Sequence, residues 1–284
     1  MTKDTAFCIK KTLNAKGKAL DLSTPAIMGI LNVTPDSFFA GSRMQPGTEL
    51  LAKAKKMVQD GAAILDIGGY SSRPGADDVS EEEESRRVCE AIAMLNKHLP
   101  EMPLSVDTFR ASVAEQAVSA GASIINDISG GELDAQMFDT VAKLQVPYIM
   151  MHMRGTPQSM QQQTGYGNLM EDMLDFFHPK LTKLKQLGVN DVIIDPGFGF
   201  AKTLDQNYRL LRNMKQLHML ECLVLAGVSR KSMIYKLLDT SPEEALNGTT
   251  VLHTIALIQG ASILRVHDVK EARECVRLFQ KTFF

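Results

Sequence analysis

Two hydrophobic periods alternate along most of this chain, so that strand patterns and helix patterns follow one another. Short apolar runs rich in branched residues, typical of strands that are buried on both faces, occur eight times. They predict strands at 26–33, 62–68, 103–107, 123–128, 147–153, 191–195, 222–228 and 262–267. Helical spacing of apolar residues predicts helices near 48–60, 80–99, 110–120, 134–145, 169–187, 204–218, 243–259 and 270–282.

Strict strand–helix alternation indicates a parallel sheet, and eight units predict closure into an α/β fold, the (β/α)8 TIM barrel. We expect this single domain to span residues 23–284, after a short hairpin-like leader at 1–22. Asn14 to Gly17 is the predicted turn of the leader, which would cover one end of the barrel. A doubly wound open sheet is the alternative, disfavoured because no G-x-G-x-x-G follows the first strand.

Local signals mark the ends of several helices. Ser80 and Glu83 have the spacing of a capping box in front of the helix at 80–99, and the acidic run 81–84 suits a solvated first turn. Glycines close four of the helices just before the next strand, at Gly61, Gly121, Gly188 and Gly260.

Composition and charge then narrow the class of protein. The chain has 284 residues, 44% of them hydrophobic and 23% charged, which is typical of an enzyme with a large core. A net charge of −2 gives no reason to expect nucleic acid or a membrane as partner, and no apolar run approaches the ~20 residues of a membrane span. With no apolar segment behind the first residues, we expect a cytoplasmic protein whose four separated cysteines are free thiols.

Polar residues end almost every predicted strand, whereas the opposite strand ends are plain. In a (β/α)8 barrel, chemistry lies at the carboxyl ends of the strands, so these residues together predict a site. They are Asn32, Asp66, Asp107, Asn126, Asp127, His152, Asp195, Ser229, Arg230, Lys231, Arg265, His267 and Asp268.

Single members of this set have alternative interpretations. Arg265 and His267 leave the last strand on one face, an arrangement that suits an anion, although Arg265 could instead pair with Asp268 or a neighbour. Asp195 could merely cap the turn that follows it. The long loops after the first two strands, at 32–43 and 68–76, are predicted to close over the site.

The motifs at these strand ends closely resemble the dihydropteroate synthase family. They are GILNVTPDSF (29–38), DIGGYSSRPGA (66–76), SVDT (105–108), IINDI (124–128), MHM (151–153), DPGFGF (195–200), GVSRKS (227–232) and RVHD (265–268), and they occur in the family's order. The resemblance implies an enzyme that condenses 6-hydroxymethyl-7,8-dihydropterin diphosphate with 4-aminobenzoate, a step of folate synthesis.

The resemblance also implies roles for individual residues. For the pterin, the matching positions are Asp107, Asn126, Asp195 and Lys231; for the diphosphate they are Asn32, Ser72, Arg265 and His267; for 4-aminobenzoate they are Arg73, Ser229 and Phe198. Asn32 matches the family's Mg²⁺ contact, which makes Mg²⁺ the implied cofactor. Asp107, Lys231, Arg265 and His267 are the implied catalytic residues, acting on a pterin cation formed by dissociation of diphosphate.

Two departures from the family pattern affect the mobile loops. The first loop commonly has Ser-Asp-Gly-Gly where this chain has Phe39-Ala40-Gly41-Ser42, and the second commonly has Glu-Ser-Thr where this chain has 70–72 as Tyr-Ser-Ser. These changes, at Ala40 and Tyr70, support one alternative, a catalytically silent pterin-binding paralogue. A second alternative is a pterin-binding barrel of a corrinoid methyltransferase, which shares the fold and the Asn/Asp pterin contacts.

The family resemblance implies a homodimer and sensitivity to sulfonamides. Val251, Leu252, Ile255 and Ile258 on the helix near 243–259 are candidates for the contact between subunits. They could equally be the ordinary inward stripe of that helix.

Overall fold

The computed structural model describes residues 11–33, 46–70 and 79–284. Eight parallel strands close into a barrel in which each strand pairs with the next along the chain and the last pairs with the first, which confirms the predicted (β/α)8 fold. The barrel strands are β3 (Ala26–Asn32), β4 (Ile64–Gly68), β5 (Leu104–Asp107), β6 (Ile124–Asp127), β7 (Tyr148–Met151), β8 (Val192–Asp195), β9 (Leu223–Ala226) and β10 (Ile263–Val266).

Helices follow the strands on the outside of the barrel. Within the described residues they are α1 (Pro46–Asp60), α2 (Glu81–His98), α3 (Ala111–Ala120), α4 (Met137–Leu144), α5 (Leu169–Gln186), α6 (Leu204–Asn213), α7 (Ser232–Tyr235), α8 (Leu246–Ile258) and α9 (Val269–Phe283). Two segments are 3₁₀ helices, Met160–Gln162 and Met214–Leu220. The part of the chain that the structure describes contains no helix that is long and apolar enough to span a bilayer.

Two apolar layers hold the barrel together, because neighbouring side chains on a strand point to opposite faces. One set faces the helices and forms the larger cluster. The other set fills the barrel interior near its amino-terminal end, with Met28, Ile64, Ile124, Ile149, Ile193, Leu223, Leu225 and Ile263. These large apolar side chains are buried against one another and form a packed floor in that half of the barrel.

The amino-terminal hairpin closes this end of the barrel, as the sequence predicts. Its strands are β1 (Thr12–Ala15) and β2 (Lys18–Asp21), which are antiparallel and joined by Lys16 and Gly17. Both joining residues have positive φ, at 56° and 72°, as a tight two-residue hairpin turn requires. Leu13 on β1 and Leu22 after β2 pack into the interior cluster.

Candidate active site

A polar layer lies one step above the apolar floor. Because side chains of the same face recur every second residue, the interior position after Ile64 is Asp66, after Ile124 is Asn126, after Ile193 is Asp195 and after Ile263 is Arg265. All four lie at the carboxyl-terminal end of the barrel, here called the mouth. Barrel closure therefore gathers residues that are far apart in sequence.

Arg265 is the centre of the hydrogen bonds in the mouth. Its Nε donates to Asp66 Oδ2 at 2.6 Å and its Nη2 to Asp107 Oδ2 at 2.6 Å. Asp66 Oδ2 also accepts from Asn126 Nδ2 at 3.1 Å. Of the alternative, in which Arg265 pairs with Asp268 or a neighbour, the first part is wrong, because Arg230 occupies Asp268 through two bonds of 2.8 and 2.9 Å. Arg265 does pair with two barrel neighbours, Asp66 and Asp107.

The two carboxylates on Arg265 differ in their surroundings. Burial raises the pKa of Asp107 to about 7, against the opposing effect of the Arg265 charge, and the Asp66 carboxylate raises it further. Asp66 is completely buried, and its Oδ1 has no hydrogen-bond partner among the described residues. Burial alone would lower the pKa of Arg265, but the two carboxylates hold it above its ordinary value.

Asp195 and Lys231 form the second group in the mouth. Burial raises the pKa of Asp195, while the nearby Lys231 charge and the N–H of Gly197, which donates to Oδ1 at 2.7 Å, lower it. Burial also lowers the pKa of Lys231 to about 8. A Cβ built on Gly227 would stand 3.6 Å from Lys231 Nζ and 3.9 Å from Asp195 Oδ2, so this glycine leaves the space between them open.

Aromatic residues flank Lys231 in a way that corrects one prediction. Phe198 is fully buried in the core, and it offers Lys231 only its carbonyl oxygen, at 2.6 Å from Nζ. The ring beside the ammonium belongs to Phe200, whose centroid is 4.8 Å from Nζ. The ring of Phe198 thus packs in the core, away from the mouth. Gly197 and Gly199 on either side of it have positive φ, so the regular strand alternation does not hold there.

Ser229 and His267 lie on the side of β10. The backbone N–H of His267 donates to Ser229 Oγ at 3.1 Å, and Ser229 Oγ also hydrogen-bonds to His267 Nδ1 at 3.0 Å. His267 is exposed at the rim, whereas Ser229 is buried beneath it. Ser229 thus orients the imidazole of His267 at the rim.

The remaining predicted residues divide between described and undescribed parts of the chain. Asn32 ends β3 beside the mouth: its Oδ1 and Asp107 Oδ2 each lie 3.6 Å from the point where Gly68 would carry a Cβ. Ser72 and Arg73, and the departures at Phe39 and Ala40, lie outside the described residues.

Tyr70 packs on the segment after β5. Its ring stands edge-on to Phe109, with centroids 5.3 Å apart, and the Arg110 guanidinium carbon is 5.7 Å from its centroid. Gln158, from the segment after β7, donates to the Tyr70 hydroxyl at 3.1 Å. Where the family commonly has a glutamate, this chain therefore has an aromatic contact between two rim segments.

Asp66 is the site residue whose role the sequence analysis missed. It appears there as a polar strand end, but the resemblance assigns it no function. The signal was present, because Asp66 follows Ile64 at the same two-residue spacing by which Asn126 follows Ile124 and Asp195 follows Ile193.

Taken together, the mouth offers a buried carboxylate, an amide and an ammonium beside a rim of Arg265 and His267. Such groups suit a flat ligand with hydrogen-bonding edges that carries an anionic group. Among the described residues, no three His, Cys, Asp or Glu side chains are grouped to hold a metal ion. Fold and site define a (β/α)8 enzyme that acts on a ligand of this kind.

Comparison with known proteins agrees with that class. Residues 28–267 match the model of a family described as pterin binding enzyme. The dihydropteroate synthase of Synechocystis sp. is 46% identical over 86% of this chain and 85% of its own length. Two solved structures have TM-scores of 0.89: the Yersinia pestis dihydropteroate synthase with a sulfonamide drug complex (42% identity, 95% of this chain, 98% of that chain) and the Xanthomonas albilineans enzyme with 4-aminobenzoic acid (37%, 96% and 98%). The chain belongs to the dihydropteroate synthase family of pterin-binding transferases.

Proposed function

We propose that this enzyme condenses 6-hydroxymethyl-7,8-dihydropterin diphosphate with 4-aminobenzoate, giving 7,8-dihydropteroate and diphosphate. The proposal rests on the polar layer of the mouth. In this layer the buried carboxylate of Asp195 lies near the ammonium of Lys231, and Arg265 lies beside them, bonded to two carboxylates. These groups match the two ends of the pterin diphosphate, and the relatives' names give the same reaction class.

Asp195 is the residue on which the pterin edge would bind. The ring amide N–H and the exocyclic NH₂ of a pterin are parallel donors, and an ionised carboxylate accepts them side by side. Lys231 Nζ lies near enough to Asp195 to share this ligand, as a donor to the pterin carbonyl and ring nitrogen. Asn126 and Asp107 would contact the rest of the edge.

Arg265 and His267 would bind the diphosphate. The guanidinium has five N–H donors, and its bonds to Asp66 and Asp107 use only Nε and Nη2. His267 is exposed at the rim, where Ser229 orients its imidazole, so that it would meet the anion beside Arg265. Ser72 is assigned to the same group by resemblance.

Mg²⁺ fits the donors of the mouth as an ion shared with the substrate. Magnesium in proteins takes oxygen ligands, commonly one or two from the protein, with substrate phosphates and water completing the shell. Asn32 Oδ1 lies at the rim beside Asp107 and is the oxygen that we assign to it. A bound Mg²⁺ supplies positive charge to the diphosphate oxygens.

We favour a dissociative displacement. The bond between the pterin CH₂ carbon and the diphosphate oxygen breaks with both electrons on the oxygen, and the dihydropterin ring delocalises the positive charge that remains. The 4-aminobenzoate nitrogen then forms the new C–N bond with its lone pair and releases a proton to solvent. Asp107 would stabilise the cation while Arg265 and His267 stabilise the leaving anion, so that charge separation occurs between fixed groups of opposite sign.

The 4-aminobenzoate would bind between Lys231 and the rim loops. Arg73 and Ser229 are assigned to it by resemblance, and we replace Phe198 by Phe200, because it is the Phe200 ring that lies beside Lys231. The Xanthomonas albilineans relative is described with 4-aminobenzoic acid and the Yersinia pestis relative with a sulfonamide drug. We therefore expect sulfonamides to compete with 4-aminobenzoate here.

We further propose that the enzyme is a cytoplasmic homodimer. Cys89, Cys222 and Cys275, the cysteines of the described residues, are free thiols, as a reducing compartment favours. On α8, Val251 and Ile258 are each 50% exposed, seven residues apart on one helix face, whereas Leu252 is buried against the barrel. The predicted set thus divides into inward and outward residues, and the outward pair supports a subunit contact.

The test of the reaction is release of diphosphate in the purified protein. On mixing with the pterin diphosphate, Mg²⁺ and 4-aminobenzoate, we expect diphosphate and 7,8-dihydropteroate in equal amounts. Omission of 4-aminobenzoate is the control and should abolish dihydropteroate. Pterin binding without diphosphate release would instead indicate the methyltransferase barrel or the silent paralogue, and would overturn the proposed function.

A further inference from the structure

Two lysines hold the loop that follows Asp195. This loop, residues 196–201, turns through Gly197 and Gly199, both with positive φ. Lys231 donates to the carbonyl of Phe198, as described above. Lys202, two residues before α6, donates to the carbonyls of Gly197 and Phe200, each at 3.0 Å.

The ammonium of Lys202 is buried, and each of its three N–H groups has an acceptor. Lys202 is only 4% exposed, and its Nζ has a third contact at 3.1 Å, with Nδ1 of His152. Burial, with the Lys202 charge as the next cause, lowers the pKa of His152 to about 2, so the ring is neutral and can accept at Nδ1. An ammonium has three N–H donors, and the three acceptors around Nζ match them.

The charge of Lys202 is coupled to Asp195. Burial lowers the pKa of Lys202 to about 7, and Asp195 is the carboxylate that opposes this effect. Reciprocally, Lys202 lowers the pKa of Asp195, together with Lys231 and Arg265. The other charged groups that face Lys202 are Lys231 and Arg154, and both disfavour its charge. A buried cation with two other cations nearby needs a carboxylate to stabilise its charge. Here that carboxylate is Asp195, on which the pterin would bind.

We propose that Lys202 is a positioning residue of the pterin site, whose ammonium holds the 196–201 loop and keeps Asp195 ionised to accept the pterin donors. Lys202 does not itself contact the substrate in this proposal; it acts on the substrate through Asp195 and the loop carbonyls. The inference rests on the proposed function, because it takes the pterin as the ligand of Asp195.

The test compares pterin affinity at two pH values. Lys202→Gln removes the charge but keeps two N–H donors for the loop carbonyls, and Lys202→Met removes both. The probe is 6-hydroxymethyl-7,8-dihydropterin, titrated calorimetrically at about pH 6 and about pH 8.5, on either side of the pKa of Lys202. Circular dichroism checks that each variant is folded, and Lys202→Gln carries the test if Lys202→Met is not.

We expect Lys202→Gln to bind about tenfold more weakly than wild type near pH 6, where the wild-type ammonium is intact. Near pH 8.5 the ratio should approach one, because wild type has then lost the same charge. Titration of the ligand affects both proteins alike and cancels in the ratio.

Asn207→Ala is the matched control. Asn207 Oδ1 accepts from the N–H of Gly199 at 2.7 Å, so this variant loosens the same loop without changing a charge. Its affinity ratio to wild type should be the same at both pH values. A pH-independent ratio for Lys202→Gln, or a ratio of one near pH 6, would overturn the inference while leaving the proposed function intact. Failure of wild type itself to bind the dihydropterin would overturn the proposed function, and this inference with it.

Discussion

Arg265 bonds to two carboxylates of different exposure, and that difference separates their roles. Asp66 is sealed beneath the guanidinium, whereas Asp107 retains 18% of its side-chain surface. A carboxylate at the surface of the mouth can act on a substrate, whereas a sealed one can act only through Arg265 and Asn126. Substitution of each residue should therefore change different kinetic quantities.

Asp107→Asn should lower turnover by about two orders of magnitude or more, because it removes the negative charge that faces the developing cation. Pterin affinity should fall by less than about tenfold, since an amide still hydrogen-bonds. Wild-type turnover should also rise with pH through about 7, as Asp107 loses its proton. This pH dependence of turnover should be absent in the variant. Turnover is measured by diphosphate release. Near-normal turnover in the variant would remove the cation role.

Asp66→Asn should raise the KM for the pterin diphosphate about tenfold, because Arg265 and Asn126 lose their shared acceptor. Unfolding in urea should show a loss of about 3 kcal/mol from the broken buried pair. Asp127→Asn is the control: Asp127 is equally buried but bonds to Ser129, Gly131 and Tyr148. It should lose stability with little change in KM, and equal KM effects in both variants would refute the special role of Asp66.

At this scale the sequence predicts which residues reach the mouth better than it predicts their partners. The positions follow from strand periodicity, and the structure gathers Asp107, Asn126, Asp195, Lys231 and Arg265 as expected. The Arg265–Asp66 pair joins residues 199 apart in sequence, so it depends on closure between the last and first strands. Phe198 shows the same limit, because a loop with positive-φ glycines breaks the alternation that predicts side-chain direction.

At the scale of the elements, the helix amino termini show which of the capping motifs in the sequence form in the structure. At α2, Ser80 Oγ accepts from the Glu83 N–H at 3.3 Å, but the Glu83 carboxylate binds Arg86 and Arg87, so only half of the predicted capping box forms. At α6, Thr203 and Gln206 form both halves, with bonds of 3.2 and 2.8 Å. The acidic first turn of α2 also differs from the prediction, since Glu84 is buried and paired with Arg110.

Thr203→Ala should therefore destabilise the protein by about 1 kcal/mol, because it leaves the N–H of Gln206 without its acceptor and opens the reciprocal cap. Ser80→Ala removes one bond, to the N–H of Glu83, where no reciprocal bond exists, and should cost no more. The comparison is made by urea unfolding of the two variants. A larger loss for Ser80→Ala would contradict the difference between the two caps.

The sequence predicts which strands and helices form better than it predicts where each of them begins and ends. All eight barrel strands occur where apolar runs predict them, and each is shorter than predicted, as with Ile263–Val266 against 262–267. The predicted helix at 204–218 ends at Asn213 and continues as a 3₁₀ helix. The single-turn helix Ser232–Tyr235 was missed, since four residues are too few for a helical period.

For the whole molecule, the proposed homodimer is the property that depends on the surface alone. Val251→Glu combined with Ile258→Glu should convert the proposed dimer to a monomer, because two carboxylates would be buried in an apolar contact. Leucine at both positions is the control and should preserve the dimer. Sedimentation velocity gives the mass of each protein. A monomeric wild type would contradict the proposed contact.

The closed barrel also explains why the site lies where it does. The floor of apolar side chains, with Leu13 and Leu22 of the hairpin segment, fills one end of the barrel, and the polar residues of the site lie at the other. The sequence predicts this polarity, because polar residues mark one end of nearly every strand. It cannot predict the arrangement of the rim loops, whose backbone is not constrained by the strand pattern.

The most direct test is a crystal structure of the enzyme with the pterin diphosphate and 4-aminobenzoate. We expect the pterin edge on Asp195 and Asn126, Lys231 on the ring carbonyl side, and the diphosphate on Arg265 and His267. The CH₂ carbon should lie between Asp107 and the aminobenzoate nitrogen. Density for the pterin outside the mouth, or for a diphosphate away from Arg265, would contradict this account.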